Sequence, residues 1–210
     1  MAAPTDPQAL VLLTLRLKGF VDAEIVAAAA TMPDALAAGI LEHLAANEFV
    51  TYRNGRISGW SLTTAGRIEG ERRLAAELDA TGCRDVVNAS YERFVSLNGG
   101  FLEACTGWQL RSDHGVRFVN DHTDALYDAE LIAALDTIDD AVQPLCHALA
   151  TNLSRFGYYN GRLAVARVRV HAGDFEWFDK PMIDSYHTVW FELHENLLAT
   201  LNLERAAESH

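Results

Sequence analysis

Apolar side chains recur every three or four positions through most of this 210-residue chain, the period of helices that bury one face. After Pro4 and Pro7, Leu10, Leu13 and Leu17 mark a helix over Ala9 to Leu17 that Gly19 stops. Val21 to Ala30, with Asp22 in its first turn, reads as a second helix. Thr31-Met32-Pro33 separates it from a third, Asp34 to Ala46, where Leu36, Ile40 and Leu44 form an inward stripe beside Leu41 and Phe49. Thr31 is expected to cap that third helix, and Pro33 suits its first turn.

The period changes in Phe49 to Arg67, FVTYRNGRISGWSLTTAGR. Val50, Tyr52, Ile57 and Leu62 suit strands, and Asn54-Gly55 predicts a two-residue hairpin turn between them. Thr63 or Thr64 then caps a helix running through Ile68, Leu74 and Leu78 to Thr81-Gly82.

From Arg84 the helical period returns. Val87, Tyr91, Phe94, Phe101, Cys105 and Trp108 mark one helix, or a pair interrupted at Asn98-Gly99-Gly100. Leu126 to Phe156 reads as a long helical region kinked or divided at Pro144. Gly157 to His171 and Asp184 to Leu203 supply two more, with an alternating stretch at Val165 to Val170 where strand competes with helix. The fold class expected is mainly α. It comprises a domain over residues 8 to 82 with three helices and a two-stranded wing, then an all-α bundle of four to six helices over residues 83 to 205.

Composition narrows the function classes. Half the residues are apolar, which suffices for a core, and apolar runs such as Ala9 to Leu15 fall short of the roughly 20 residues of a membrane span. With no cationic leader and cleavage site at its start, the chain is expected in the cytoplasm. Cys83, Cys105 and Cys146 lack CxxC spacing and are read as buried thiols. The net charge is −12, with 7 basic and 10 acidic residues before Gly82 and 10 and 19 after it, so the second part carries most of it. Nonspecific attraction to phosphate is disfavoured, although a local basic patch is still allowed.

The order helix, helix, helix, hairpin, helix resembles the winged helix of MarR-like transcriptional regulators. The likeness rests on Arg53, Gly55, Arg56, Leu62, Thr63, Gly66 and Arg67 and covers about 75 residues. It implies DNA contact, and Arg53, Asn54, Arg56, Ser58 and Arg67 are the residues in position to make it, with Arg72 and Arg73 further along the helix. The third helix departs from the family pattern. It offers Asp34, Ala35, Ala38, Gly39, Glu42 and His43, and no Lys or Arg lies between Val21 and Glu48, where Asp22, Glu24, Asp34, Glu42 and Glu48 do. A flat acidic face of small residues suits helix packing better than a phosphate-lined groove.

In the second part, Asn120-Asp121-His122-Thr123-Asp124 reads either as a ligand or metal cluster or as a helix N-terminus. His187, Trp190, Phe191 and His194 fall at i, i+3, i+4 and i+7 of DSYHTVWFELHE and share a helix face. With Trp108 and Arg111 of WQLR, and Asp121 and His122, they are the candidate ligand-binding residues. Arg155, Tyr158, Tyr159 and Arg162 are further candidates for pocket walls. His194-Glu195 begins like a zincin helix, but position 198 is Leu. No nucleophile elbow, phosphate loop or dinucleotide fingerprint is present, so no enzyme, cofactor or metal is implied. The function expected is a ligand-responsive transcriptional regulator, acting as a homodimer on DNA with a small-molecule effector. The alternative is an accessory subunit that docks protein through the winged helix. Chains of this kind resemble companions of phosphoenolpyruvate-utilising phosphotransferases, a likeness no single residue carries.

Overall fold

A computed structural model describes residues 2–113 and 115–203. The chain is 70% helix and 9% strand, so its class is mainly α, with two small antiparallel hairpins. It divides into two compact units that do not follow the chain in order. The first takes residues up to Val87, Asn152–Arg155 and the chain from His194. The second takes Asn88–Thr151 and Phe156–Leu193. Among the described residues no single helix is long and apolar enough to cross a membrane.

The first unit begins with α1 (Pro7–Lys18), α2 (Ala23–Ala29) and α3 (Asp34–Ala46). Asp6 caps α1 by accepting from Ala9 N, and Asp22 caps α2 by accepting from Ile25 N. Thr31 does not cap α3 as expected. It turns left-handed (φ 53°), and its N–H closes the end of α2 on Ala28 O, which leaves Pro33 before α3 with no side-chain cap. The inward stripe of α3 is Ala37, Ile40, Leu41 and Leu44, packed with Val11, Leu12, Leu15, Val26 and Val50. Leu36, expected inward, lies on the outer face at 47% exposure, because the buried set at 37, 40, 41 and 44 turns position 36 outward.

Strands β1 (Val50–Arg53) and β2 (Gly59–Leu62) pair from Val50 opposite Leu62 to Arg53 opposite Gly59. The connecting loop is therefore Asn54–Ser58, and the two-residue turn is not made. Ser58 supplies the closure: its Oγ donates to Asn54 Oδ1 (3.2 Å) and accepts from Gly55 N (3.3 Å). Ile57, expected in a strand, sits in this loop at 72% exposure.

Helix α4 (Thr64–Thr81) is held tightly to the sheet. Thr63 accepts from Gly66 N and donates to Glu48 O (2.8 Å), and a Cβ on Gly66 would stand 1.8 Å from Phe49 O. Gly66, Gly70, Leu74 and Leu78 are buried while Ile68 faces outward. Gly82 ends the helix in the left-handed region.

Arg155 is a buried cation of this unit. Its guanidinium pairs with Glu77 of α4 and donates to Thr5 Oγ1 (3.0 Å) and Thr200 Oγ1 (2.9 Å), with Asn196 Oδ1 at 3.4 Å. The Arg155 side chain is 1% exposed and that of Glu77 12%.

The second unit is built on α5 (Arg84–Gln109), which enters it at Asn88, together with α6 (Ala125–Asn152), α7 (Tyr159–His171), the short α8 (Glu176–Asp179) and the first turns of α9 (Tyr186–Leu201). Asn98-Gly99-Gly100 does not interrupt α5. Phe94, Phe101 and Trp108, seven residues apart and all buried, anchor both sides of the glycines, so burial outweighs their cost of about 1 kcal/mol each. Pro144 lies inside α6 without dividing it, and Val165–Val170 is helical. The all-α expectation is corrected by β3 (Leu110–Asp113) and β4 (Val116–Val119), a second hairpin. Asp139 is buried in α6, where its carboxylate accepts from Gln143, Arg167 and the Tyr186 hydroxyl. Burial, with Asp139 alongside, pushes the Tyr186 phenol well above its usual range. All three cysteines are buried free thiols, and burial raises Cys105 and Cys146 to about 12.

Two substitutions test these constraints by chemical unfolding. Arg155→Met strands the Glu77 carboxylate and is expected to cost about 3–5 kcal/mol, with much of the loss recovered in Arg155→Met/Glu77→Leu. Gly66→Ala is expected to cost at least about 1–3 kcal/mol, because the methyl meets backbone and not a side chain that can turn away.

Candidate functional site

The first hairpin presents its loop to solvent. Arg53, Asn54, Gly55, Arg56 and Ser58 are all exposed, and Arg53 and Arg56 have no acidic partner among the described residues. Arg53 lies 5.7 Å from the centre of the Phe20 ring, a contact that leaves its charge uncompensated. Asn54 and Ser58 are bonded to each other, so their part is first to shape the loop that carries the two arginines.

Further along, the cations are progressively neutralised. Arg67 is half exposed and reaches Glu71 at 3.3 Å, and it lines an open groove with Phe20, Ser61, Thr63 and Thr64. Arg72 and Arg73 both hold Glu69, and Arg73 also pairs with Asp6. The Arg72 hydrogen bond, together with that of Arg73, brings the Glu69 carboxyl down to about 2. Arg72 and Arg73 therefore belong to a surface ion-pair cluster, whereas Arg53 and Arg56 are open.

On α2 and α3 the opposite charge is displayed. Asp22, Glu24, Asp34, Glu42 and Glu48 are every one exposed, with Ala35, Leu36, Gly39 and His43 among them, while Ala38 is half-buried.

The expected ligand-binding residues do not converge on one place. Trp190 is 2% exposed, its ring against Phe94 (4.4 Å) and Phe101 (4.5 Å) and its Nε1 donating to Asn98 Oδ1. His187 is half-buried and stacks on Phe101. His194 is buried and belongs to the first unit. Of the further candidates, Arg155 is the structural ion pair already described. Tyr158, Tyr159 and Arg162 pack together, with Arg162 bound to Asp184 and Glu192.

A second group does assemble around Trp108. His122 adopts φ 57° and lies 4.4 Å from Trp108 and 5.2 Å from Phe175, ring centre to ring centre. Its Nδ1 is 3.0 Å from Oδ2 of buried Asp128, whose Oδ1 accepts from Asn120. An Nδ1–H donor to that carboxylate leaves Nε2 as an open acceptor on a side chain 25% exposed. Arg111 pairs with Asp124 at 2.8 Å and covers the Tyr127 ring at 4.4 Å. Asp124 also accepts from Leu126 N and Tyr127 N, capping α6, and Asp121 accepts from Thr123. Asp128 was missed in the sequence because its partner His122 stands six positions away across a loop, outside any helical spacing. Among the described residues no three His, Cys, Asp or Glu side chains are placed to hold a metal.

No family model, no curated protein and no solved structure matches this chain.

The ion-pair cluster predicts an acid-titration outcome. Because the folded Glu69 carboxyl is depressed, its contribution to stability is present above the ordinary carboxylate range and is lost as pH falls toward about 2. Carboxylate NMR is expected to follow that low midpoint in the native chain and to find it displaced upward in Arg72→Gln.

Proposed function

We propose that this protein is a DNA-binding transcriptional regulator whose N-terminal part, near residues 8 to 82, is a winged helix of MarR-like type. It acts in the cytoplasm as a dimer under control of a small-molecule effector. The reading is carried by Arg53 and Arg56, two uncompensated guanidinium groups on an exposed hairpin loop. Such groups bind phosphate oxygens or enter a narrow minor groove, where negative potential is strongest. The α3 helix has no cation to offer and carries exposed Asp34 and Glu42, so contact falls to the wing and to Arg67. In the second unit the effector reading rests on His122, a ring positioned by Asp128 with Nε2 unengaged among the described residues.

A second reading has its own support in the five exposed acids of α2, α3 and their flanks, which suit a basic protein partner. In that case the winged helix is a docking scaffold of an accessory subunit.

Fluorescence anisotropy with duplexes from the region upstream of the protein's own gene decides between them. Native chain is expected to bind with strong salt dependence, and Arg53→Ala/Arg56→Ala to lower the salt slope by about 2 while weakening all sequences alike. No salt-sensitive binding at low ionic strength would remove the regulator reading. Unchanged affinity in the double variant would remove the assignment to the wing.

A further inference from the structure

Strand β4 is unlike any other strand of the molecule. Each of its four residues is exposed, and three are apolar: Val116 at 67%, Phe118 at 45% and Val119 at 73%. Exposed edge strands are ordinarily blunted by several charges, a proline or a covering segment, since an open row of N–H and C=O groups templates further pairing. The comparison within the molecule is direct. The outer edge of β2 is covered where Val21 and Trp60 exchange two backbone hydrogen bonds, whereas among the described residues β4 pairs with β3 alone.

The register says which groups are open. Asn120 N donates to Gln109 O, which makes 109 and 120 a hydrogen-bonded pair. By alternation 118 with 111 and 116 with 113 are bonded pairs too. The N–H and C=O of Arg117 and Val119 therefore point away from β3.

We infer that β4 is the interface with a second copy of this chain, joined strand to strand in antiparallel fashion into a four-stranded sheet. This goes beyond the regulator reading by naming a surface, and it does not depend on DNA. A two-fold axis perpendicular to the sheet is the operation that relates identical antiparallel strands, and it requires pairs of the same parity. Three registers engage the outward groups. Centring the axis on Arg117 sets two guanidinium groups directly opposite, which is repulsive. Centring it on Val119 faces Phe118 with Asn120 and leaves the rings unpaired. Centring it on Phe118 makes Arg117 and Val119 the bonded pair, twice, and brings the two Phe118 rings together in the close, non-hydrogen-bonded position.

Charge supports the same arrangement. Arg117 has no acidic partner among the described residues, and Asp121, two residues past β4, is exposed and accepts from Thr123 through Oδ1. In the Phe118-centred register each Arg117 lies diagonal both to the second copy's Arg117 and to its Asp121, whose carboxylate offsets the like charge that the Arg117-centred register would set directly opposite. The pairing thus joins apolar Phe118 to its counterpart at the axis and leaves Arg117, opposite Val119, with a carboxylate on one diagonal, all from one strand and the loop that follows it.

Sedimentation velocity on the full chain tests this, at concentrations up to about 100 µM because association follows mass action. The native chain is expected at twice its mass of 23.1 kDa. Phe118→Lys and Phe118→Asp are each expected to be monomeric, and their equimolar mixture to regain the dimer. Val119→Pro, which removes an N–H that β3 does not use, is expected to weaken association at least tenfold while helical circular dichroism is unchanged. Phe118→Cys gives a readout of register: at the two-fold axis its Cα atoms approach to about 4.5 Å, within disulfide range. The native thiols are buried, so mild oxidation is expected to yield a dimer in Phe118→Cys and none in Val116→Cys. A monomeric native chain would overturn the inference, as would a dimer indifferent to Phe118→Asp and Val119→Pro.

Discussion

The Arg155 guanidinium is the constraint on which the first unit turns. Three segments separated widely in sequence, at Thr5, at Glu77, and at Asn196 and Thr200 one turn apart on α9, meet on one buried cation. Taking a guanidinium out of water is costly unless each of its donors is met and its charge balanced. Glu77 supplies the balance, and Thr5 and Thr200 supply neutral acceptors. The same demand explains why the unit is discontinuous along the chain. Residues 152–155 and those from His194 belong with the N-terminal segment, and Thr5, Glu77, Asn196 and Thr200 meet Arg155 within that unit. Parallel logic governs Asp139 in the second unit, where Arg167 balances the carboxylate and Tyr186 and Gln143 complete it.

Against that background the hairpin is set by a steric condition. Gly66 lets the backbone of α4 touch Phe49, and Thr63 bonds both across that contact and into the first turn of the helix. The start of β1 and the start of α4 are thereby one rigid corner. Gly59 is similarly close to the Phe20 ring and Val21 O, each 3.0 Å from where a Cβ would stand. The strands are anchored at their base while the loop from Asn54 to Ser58 projects outward, held by side-chain bonds within itself. A loop so arranged presents Arg53 and Arg56 at small entropic cost, which is what phosphate contact by few residues requires.

Much of this was legible in the chain. Helices α1 to α4, the hairpin and the long helices of the second part follow from period and capping residues. So does the stop of α4 at Gly82. What failed did so for local reasons. The Asn54-Gly55 pair signals a short turn, but Ser58 offers hydrogen bonds that a longer loop satisfies. Gly99-Gly100 left one helix or two open, and the rings at 94, 101 and 108, buried in register, carry it as one. Strand β4 was missed because a fully exposed strand has no buried face, and so leaves no apolar alternation to find; β3, its partner, was missed with it. The candidate ligand residues fared differently for a related reason. His187, Trp190 and His194 do share a helix face, but in α9 that face is core, and their spacing alone carries no information about what lies opposite.

The two hairpins show how one element serves opposite ends. In β1–β2 the edge is covered at Val21 and Trp60, and the exposed groups are the cations of the loop, which remain hydrated and available to a charged surface. In β4 the loop is not the feature; the exposed groups are apolar side chains and unused backbone donors and acceptors, which water solvates poorly in combination. A monomer would be expected to suppress such an edge, since it offers the same template to every neighbouring chain. An occupant that satisfies the backbone and buries the side chains together would remove that liability. The proposed second copy in the Phe118-centred register would do both, because the outward N–H and C=O groups of Arg117 and Val119 would then meet each other and the two Phe118 rings would pack at the axis.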